Sequence, residues 1–236
     1  MLLREYLQSV HSISRRKFTD LVDQGKIFLN GKLVNSYKQL IQEDDRLEMI
    51  DDRLKETVHM VVSESRIVLF NKPVGYVVSK SDPHNQTIYE LLPKEFQGLY
   101  YIGRLDKDSH GLLLMTNDPK VVNEFEHPKF EIEKEYIVKI DRPLTSRDAQ
   151  RMKEGILDEG DLLKVHKVES PKSKVKESMT GGPDDLMTLR LILHEGKKRH
   201  IRRIFKAMNY KVVDLQRIRE GKFELGNLKL GECKIV

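Results

Sequence analysis

The chain has 236 residues, 39% of them hydrophobic and 33% charged, with 42 Lys and Arg against 37 Asp and Glu. That length suits one large domain or two modest ones, and with no apolar run of about 18 residues the sequence excludes a transmembrane helix. The one cysteine, Cys233, excludes an internal disulfide, so a reducing cytoplasm is the expected compartment.

No Cys/His spacing signals zinc, and Met1-Leu2-Leu3-Arg4-Glu5 has no signal-peptide apolar region. The positive excess is local. Arg190 to Lys222 holds 11 Lys and Arg against three acids, and Arg15 to Lys38 holds six against two. Such patches fit a polyanion partner, usually a nucleic acid, and they equally fit ordinary solvated surface.

Residues 1–50 read as one unit. Leu3, Leu7 and Val10 recur at helical spacing. Ser14 is placed to cap a second helix through Gln24, with Phe18, Leu21 and Val22 on one face and Arg15, Arg16 and Lys17 opposite. Gly25 supplies a left-handed stop. Lys26 to Leu29 reads as a strand, Asn30-Gly31 as a two-residue hairpin turn bringing in Lys32, Leu33 and Val34, and Arg46 to Ile50 as a closing strand. Residues 51–59 are charged and aperiodic, which predicts a linker. The composition then shifts, giving a second domain over 60–236.

In that second part, Arg66 to Phe70 predicts a buried strand ending in the turn Asn71-Lys72-Pro73-Val74-Gly75. Thr87 is expected to cap a short helix over 88–92. The runs Tyr100-Tyr101-Ile102 and Leu112-Leu113-Leu114-Met115 predict two core strands. Between them lies Gly103-Arg104-Leu105-Asp106-Lys107-Asp108-Ser109-His110-Gly111. Charges packed beside a dry core need partners, and those partners tune their protonation. From the residues alone this loop is either a solvated turn or a catalytic carboxylate, Asp106, held by an arginine two residues away.

Asp118-Pro119 predicts a helix start with Val121, Val122 and Phe125 inward. Glu133 to Ile140 predicts a strand with Tyr136 on the face of Val138 and Ile140. Thr145 and Asp148 predict a helix ending at Gly155. Leu162 to Glu169 reads as one strand, Ser170 to Asp185 as a mobile loop, and Thr188 to Leu193 as a long strand. In the last basic stretch, Ile201, Ile204, Phe205 and Met208 form a core stripe on a helix over 198–209. The cations at its start oppose the helix dipole, a conflict that an anionic ligand would relieve.

Gly-Arg-Leu-Asp followed by x-Asp-Ser-x-Gly-Leu, at 103–112, resembles the catalytic motif of pseudouridine synthases of the RsuA/RluB type, with Ser109 where that family usually has threonine. The Asn-Lys-Pro-x-Gly turn, the Lys-x-Tyr of 134–136, Glu-Gly-Lys-x-Arg-x-Ile-Arg-Arg at 195–203 and Leu228-x-x-Gly-Glu follow in the family's order. The first 50 residues resemble the S-four RNA-binding module. The implied fold is α+β: a small S-four-like RNA-binding domain, then a pseudouridine synthase catalytic domain whose mixed, largely antiparallel sheet is flanked by helices.

The resemblance implies roles residue by residue. Asp106 is the catalytic carboxylate, Tyr136 stacks on the base, and Arg202, with Arg203 as the neighbouring alternative, pairs with Asp106. Arg104 and Lys72 contact substrate, Lys72 being equally readable as a plain turn lysine, and Leu228 packs in the uracil pocket. Arg15, Arg16, Lys17, Lys32, Lys197, Lys198, Arg199 and Arg203 bind RNA, Arg203 through a phosphate. The implied partner is ribosomal RNA or a pre-ribosomal particle, with a monomer expected and no membrane. Isomerisation of uridine oxidises nothing and adds or removes no group, so it calls for no cofactor and no metal. Two other classes stay open: a nucleoside-directed glycosidase using Asp106 and Asp108 as paired carboxylates, and a non-catalytic RNA-binding ribosome-assembly factor.

Overall fold

In the computed structural model, Asn30 and Gly31 are both left-handed, at φ 50° and 75°. They turn β1 (Ile27–Leu29) onto β2 (Lys32–Leu33), pairing Leu29 with Lys32. A twisted two-residue hairpin needs that backbone at both positions, and Asn-Gly supplies it with little strain. Ahead of the hairpin lie α1 (Leu3–His11) and α2 (Arg15–Asp23). The Ser14 hydroxyl caps α2 by accepting from the Lys17 amide at 3.2 Å, and left-handed Gly25 ends it. Phe18, Leu21 and Val22 are buried as their spacing predicts, against Leu3, Leu7, Ile27 and Leu47. The Val10 side chain lies outside the described residues.

The structure describes residues 2–11, 13–42, 44–51, 56–61, 65–169 and 186–236. The expected loop from Ser170 to Asp185 lies outside them. Packing divides the chain into one unit of residues 1–66 with 116–121 and a second of 67–115 with 122–236. The linker expected over 51–59 is corrected. β3 (Arg46–Asp51) pairs antiparallel with β4 (Glu56–Val61), matching Glu48 to His59 and Met49 to Val58. The four strands order as β2-β1-β3-β4. The charged residues of 51–59 conceal this pairing in the sequence, because alternation is legible only where one face of a strand is apolar.

The second unit is built on a nine-stranded sheet. Its spine runs β11-β12-β8-β13-β7-β5-β15, where β5 is Ile67–Lys72, β7 His110–Thr116, β8 Lys134–Ile140, β11 Lys167–Glu169, β12 Met187–Leu193, β13 Val212–Glu220 and β15 Cys233–Ile235. β6 (Tyr100–Ile102) pairs with β7, and β14 (Phe223–Glu224) with β13. β8 is antiparallel to both β12 and β13, β5 is antiparallel to β15, and β13 is parallel to β7. The sheet is therefore mixed and largely antiparallel, and parallel pairing needs the long crossovers that the helices supply.

Among the described residues, three α-helices accompany this sheet. α3 (Pro119–Glu126) starts at its proline as predicted, but Val121, Val122 and Phe125 are only half-buried. Thr145 caps α4 (Ser146–Glu154), and the left-handed Gly155 ends it. α5 (His200–Ala207) buries Ile201, Ile204 and Phe205, with Met208 just beyond, against Val138, Leu189 and Leu215. The helix expected after Thr87 is one 3₁₀ turn, Ile88–Glu90. The single strand expected over 162–169 is two. β10 (Asp161–Leu163) folds back on β9 (Ile156–Asp158) through Glu159 and Gly160, both at positive φ, while β11 joins the main sheet.

Candidate active site

The loop between β6 and β7 is held from beneath by Lys72. The side chain is fully buried, and its ammonium donates to the carbonyls of Pro73 at 2.9 Å, Asp106 at 3.2 Å and Ser109 at 2.8 Å. Three donors meet three acceptors, so the ammonium has nothing left to offer a substrate. The expected substrate contact is thus corrected: Lys72 clamps the loop. Burial pulls its pKa down to about 8, against the opposing pull of the Asp106 and Asp108 charges. The turn before it adds a further tie, the Gly75 amide donating to the Lys107 carbonyl at 2.7 Å.

Clamped this way, Asp106 keeps its side chain 28% exposed. Burial pushes its carboxyl above the usual aspartate range. Arg199 opposes this, Asp108 reinforces it, and Arg202 and Lys72 oppose it more weakly. Its ion pair is with Arg199, at 4.0 Å.

Arg202 does not make the expected direct pair with Asp106. It donates to the Asp108 carbonyl at 2.7 Å and approaches the Ser109 hydroxyl at 3.4 Å and the Asp108 carboxylate at 3.3 Å. Arg199 grips the same carboxylate with both terminal nitrogens, at 3.2 and 3.1 Å. Burial tends to raise the Asp108 carboxyl, but the Arg199 hydrogen bonds and the two guanidinium charges outweigh it and hold the group below its ordinary range. The reason for the exchange of roles is where α5 begins. Arg199 is left-handed, at φ 52°, and precedes the helix. It can therefore swing to the loop, while Arg202 stands nearly one turn further on.

Tyr136, on β8, is 8% exposed. Burial raises its hydroxyl pKa, the Arg217 guanidinium charge opposes that, and Asp106 is close enough to act on it electrostatically. Arg104, two residues before Asp106, is exposed and makes no ion pair among the described residues. Leu228 is half-buried, its carbonyl accepting from the Asn71 side chain at 2.7 Å, so the C-terminal loop is tied to the residue preceding Lys72.

The expected RNA-binding cations divide. Arg15, Arg16, Lys17 and Lys32 are exposed on the first unit, and Lys198 is exposed on the second. Lys197 donates to the Leu162 carbonyl at 3.1 Å and pairs with Asp161 at 3.4 Å. Arg203 is corrected from phosphate ligand to fastener. It donates to the Asp158 carboxylate at 2.6 Å and the Asp161 carboxylate at 2.8 Å, holding the β9–β10 hairpin to α5. Arg203→Ala should therefore lower the thermal unfolding midpoint and leave the salt slope of RNA binding unchanged. A salt titration whose slope falls by the equivalent of one phosphate would restore the phosphate role.

One group of possible metal ligands occurs among the described residues: Glu133, His166 and His194, with ligand atoms within 4.8 Å of one another. The two imidazoles stack at 4.2 Å between centroids, and Glu133 accepts from Arg219 at 2.9 Å. Sequence reading missed the engagement of Asp108 with two arginines, although the Asp-x-Asp spacing around Lys107 was visible.

Residues 66–207, more than half of the chain, match the family profile described as RNA pseudouridylate synthase, and residues 6–47 match the S4 domain. The chain belongs to the RNA pseudouridylate synthase family. A protein of Aquifex aeolicus named an uncharacterized RNA pseudouridine synthase is 30% identical over 99% of this chain and 92% of its own. Ribosomal large subunit pseudouridine synthase B of Bacillus subtilis is 29% identical over 94% of this chain and 86% of its own. A crystal structure of a pseudouridylate synthase superimposes with a TM-score of 0.64 at 27% identity, covering 100% of this chain and 96% of the other. As a pseudouridine synthase, this chain is an enzyme that isomerises uridine in RNA, and its S4 domain stands ahead of the catalytic one. No described helix is long and apolar enough to cross a membrane.

Proposed function

We propose that this pseudouridine synthase acts on a uridine of ribosomal RNA, free or in a pre-ribosomal particle, in the cytoplasm and as a monomer. Asp106 is the catalytic carboxylate. The observation that carries this is the clamp. A buried lysine fixes the Asp106 backbone, and two guanidinium groups hold its loop neighbour, so the carboxylate is presented at the rim of a cationic site. The choice of ribosomal RNA rests on relatives named for the ribosomal large subunit.

The reaction breaks the bond from uracil N1 to ribose C1′, turns the base and joins C5 to C1′. An ionised Asp106 can serve by adding to C1′ or by taking the 2′ proton. Arg199 and Arg202 favour that ionised form. A base within folded RNA must be extruded to reach Asp106, and Tyr136 offers it an aromatic partner inside the site. Arg104 and Lys198 remain free to meet phosphates.

The glycosidase reading needs one carboxyl that is protonated at neutral pH. Asp108 is held in the opposite state by two arginines. Incubation with ribosomal RNA fragments separates the readings: isomerised uridine supports the proposal, released uracil supports a glycosidase, and unchanged RNA supports an assembly factor. Mapping pseudouridines in cells with and without the gene then identifies the nucleotide.

The first unit is assigned to RNA capture through α2. Changing Arg15, Arg16 and Lys17 together to alanine should weaken RNA binding and lower its salt slope by about 0.7–0.9 for each phosphate that α2 no longer neutralises. The rate of the chemical step at saturating RNA should stay unchanged. An unaltered affinity and slope in a filter-binding titration would exclude α2 from the interface.

A further inference from the structure

Beneath the catalytic loop lies a charged group that the reaction so far leaves unused. Arg217 and Glu220 are each 1% exposed and pair at 3.1 Å. Lys134 stands 3.7 Å from the same glutamate. The Arg217 Nε donates to the Leu112 carbonyl at 2.7 Å. In the sheet, Arg217 sits between Tyr136 on β8 and Gly111 on β7, as cross-strand partner of both.

The fit around this arginine is close. A Cβ on Gly111 would come within 2.2 Å of the Arg217 carbonyl oxygen, and one on Gly103 would meet the Glu220 carboxylate at 3.6 Å and the Arg217 guanidinium at 3.8 Å. Both glycines bound the loop that carries Asp106. As cross-strand partners, Arg217 and Tyr136 have side chains that neighbour each other on one face of the sheet, and the guanidinium charge acts on the Tyr136 hydroxyl. Burying such a pair costs desolvation that well-packed apolar residues would avoid, so stability alone gives it little reason to exist.

We propose that Arg217 is a positioning residue for the isomerisation: braced by Glu220 and the Leu112 carbonyl, it fixes the Tyr136 hydroxyl and ring relative to Asp106. An arginine can only donate. Any hydrogen bond between the two is therefore accepted by the Tyr136 oxygen, which leaves its own O–H to donate to a substrate oxygen. The proposal rests on the assignment of Tyr136 to the active site.

The test is a cycle of Arg217→Lys, Tyr136→Phe and the double variant, read as single-turnover rates on full-length enzyme at saturating RNA. Arg217→Lys should slow the chemical step by about 10–100-fold, with RNA affinity within about twofold of wild type. In the Tyr136→Phe background the same change should cost less than about threefold, because the hydroxyl it acts through is gone. An equal loss in both backgrounds would make Arg217 a general structural residue and overturn the proposal. Tyr136→Phe at the wild-type rate would overturn it too, by removing the hydroxyl from the reaction, while leaving Asp106 in place as the catalytic carboxylate. Should Arg217→Lys fail to fold, Glu220→Gln, similar in volume, is read in the same cycle with the same criteria.

Discussion

Asp106→Asn should reduce the single-turnover rate by on the order of 10³-fold or more, with RNA affinity retained. The same variant should unfold at an equal or higher temperature than wild type. The sign follows from burial. Asp106 has its folded pKa raised, so its ionised form is less favourable in the folded protein than in the unfolded chain. At neutral pH that carboxylate costs stability, and a neutral amide of similar shape removes the cost. In the wild type, the acid limb of the rate profile should lie above the ordinary aspartate pKa of about 3.9, because only the ionised form acts. Near-normal turnover by Asp106→Asn on ribosomal RNA fragments would exclude this carboxylate from the chemistry.

Lys72→Met should be costly in both stability and activity. Three carbonyls lose their donor together, those of Pro73, Asp106 and Ser109. Each charged hydrogen bond contributes about 1.5–3 kcal/mol, and relief from burying an ammonium offsets part of the sum. A net loss of roughly 2–5 kcal/mol is expected, which for a protein of this size lowers Tm by about 5–15 °C. The chemical step should slow severely, since the loop slackens and a cation near Asp106 disappears.

A pH series adds a check on the same residue. The folded Lys72 pKa, about 8, lies below the unfolded value of 10.5. Between those values the unfolded chain binds more protons, so this group adds stability as pH rises through the window. The stability gap between wild type and Lys72→Met should therefore widen from pH 8 to 10. A methionine variant as stable and active as wild type would show that the loop is held by other contacts.

Much of this protein was legible in its sequence because the signals are local. Asn30-Gly31 demands a left-handed turn whatever surrounds it, Ser14 and Thr145 cap the helices that follow them, and the spacing of Ile201, Ile204, Phe205 and Met208 fixes the buried face of α5. The loop carrying Asp106 was legible as an ionisable run between two apolar runs.

The tertiary structure decided where each charge goes. Lys72 sits in a turn sequence that reads as surface, and only the approach of a loop 34 residues later buries it. Arg203 looks like a phosphate ligand until a hairpin some 40 residues earlier folds against α5 and saturates it. Arg217 and Arg219 stand two apart on one strand, so simple alternation puts them on the same face. A register shift between them on β13 breaks that alternation, leaving Arg217 fully enclosed beside Glu220 while Arg219 reaches Glu133 and Glu135. The partner of a charge depends on chain segments distant in sequence, and no local propensity encodes which of them arrives.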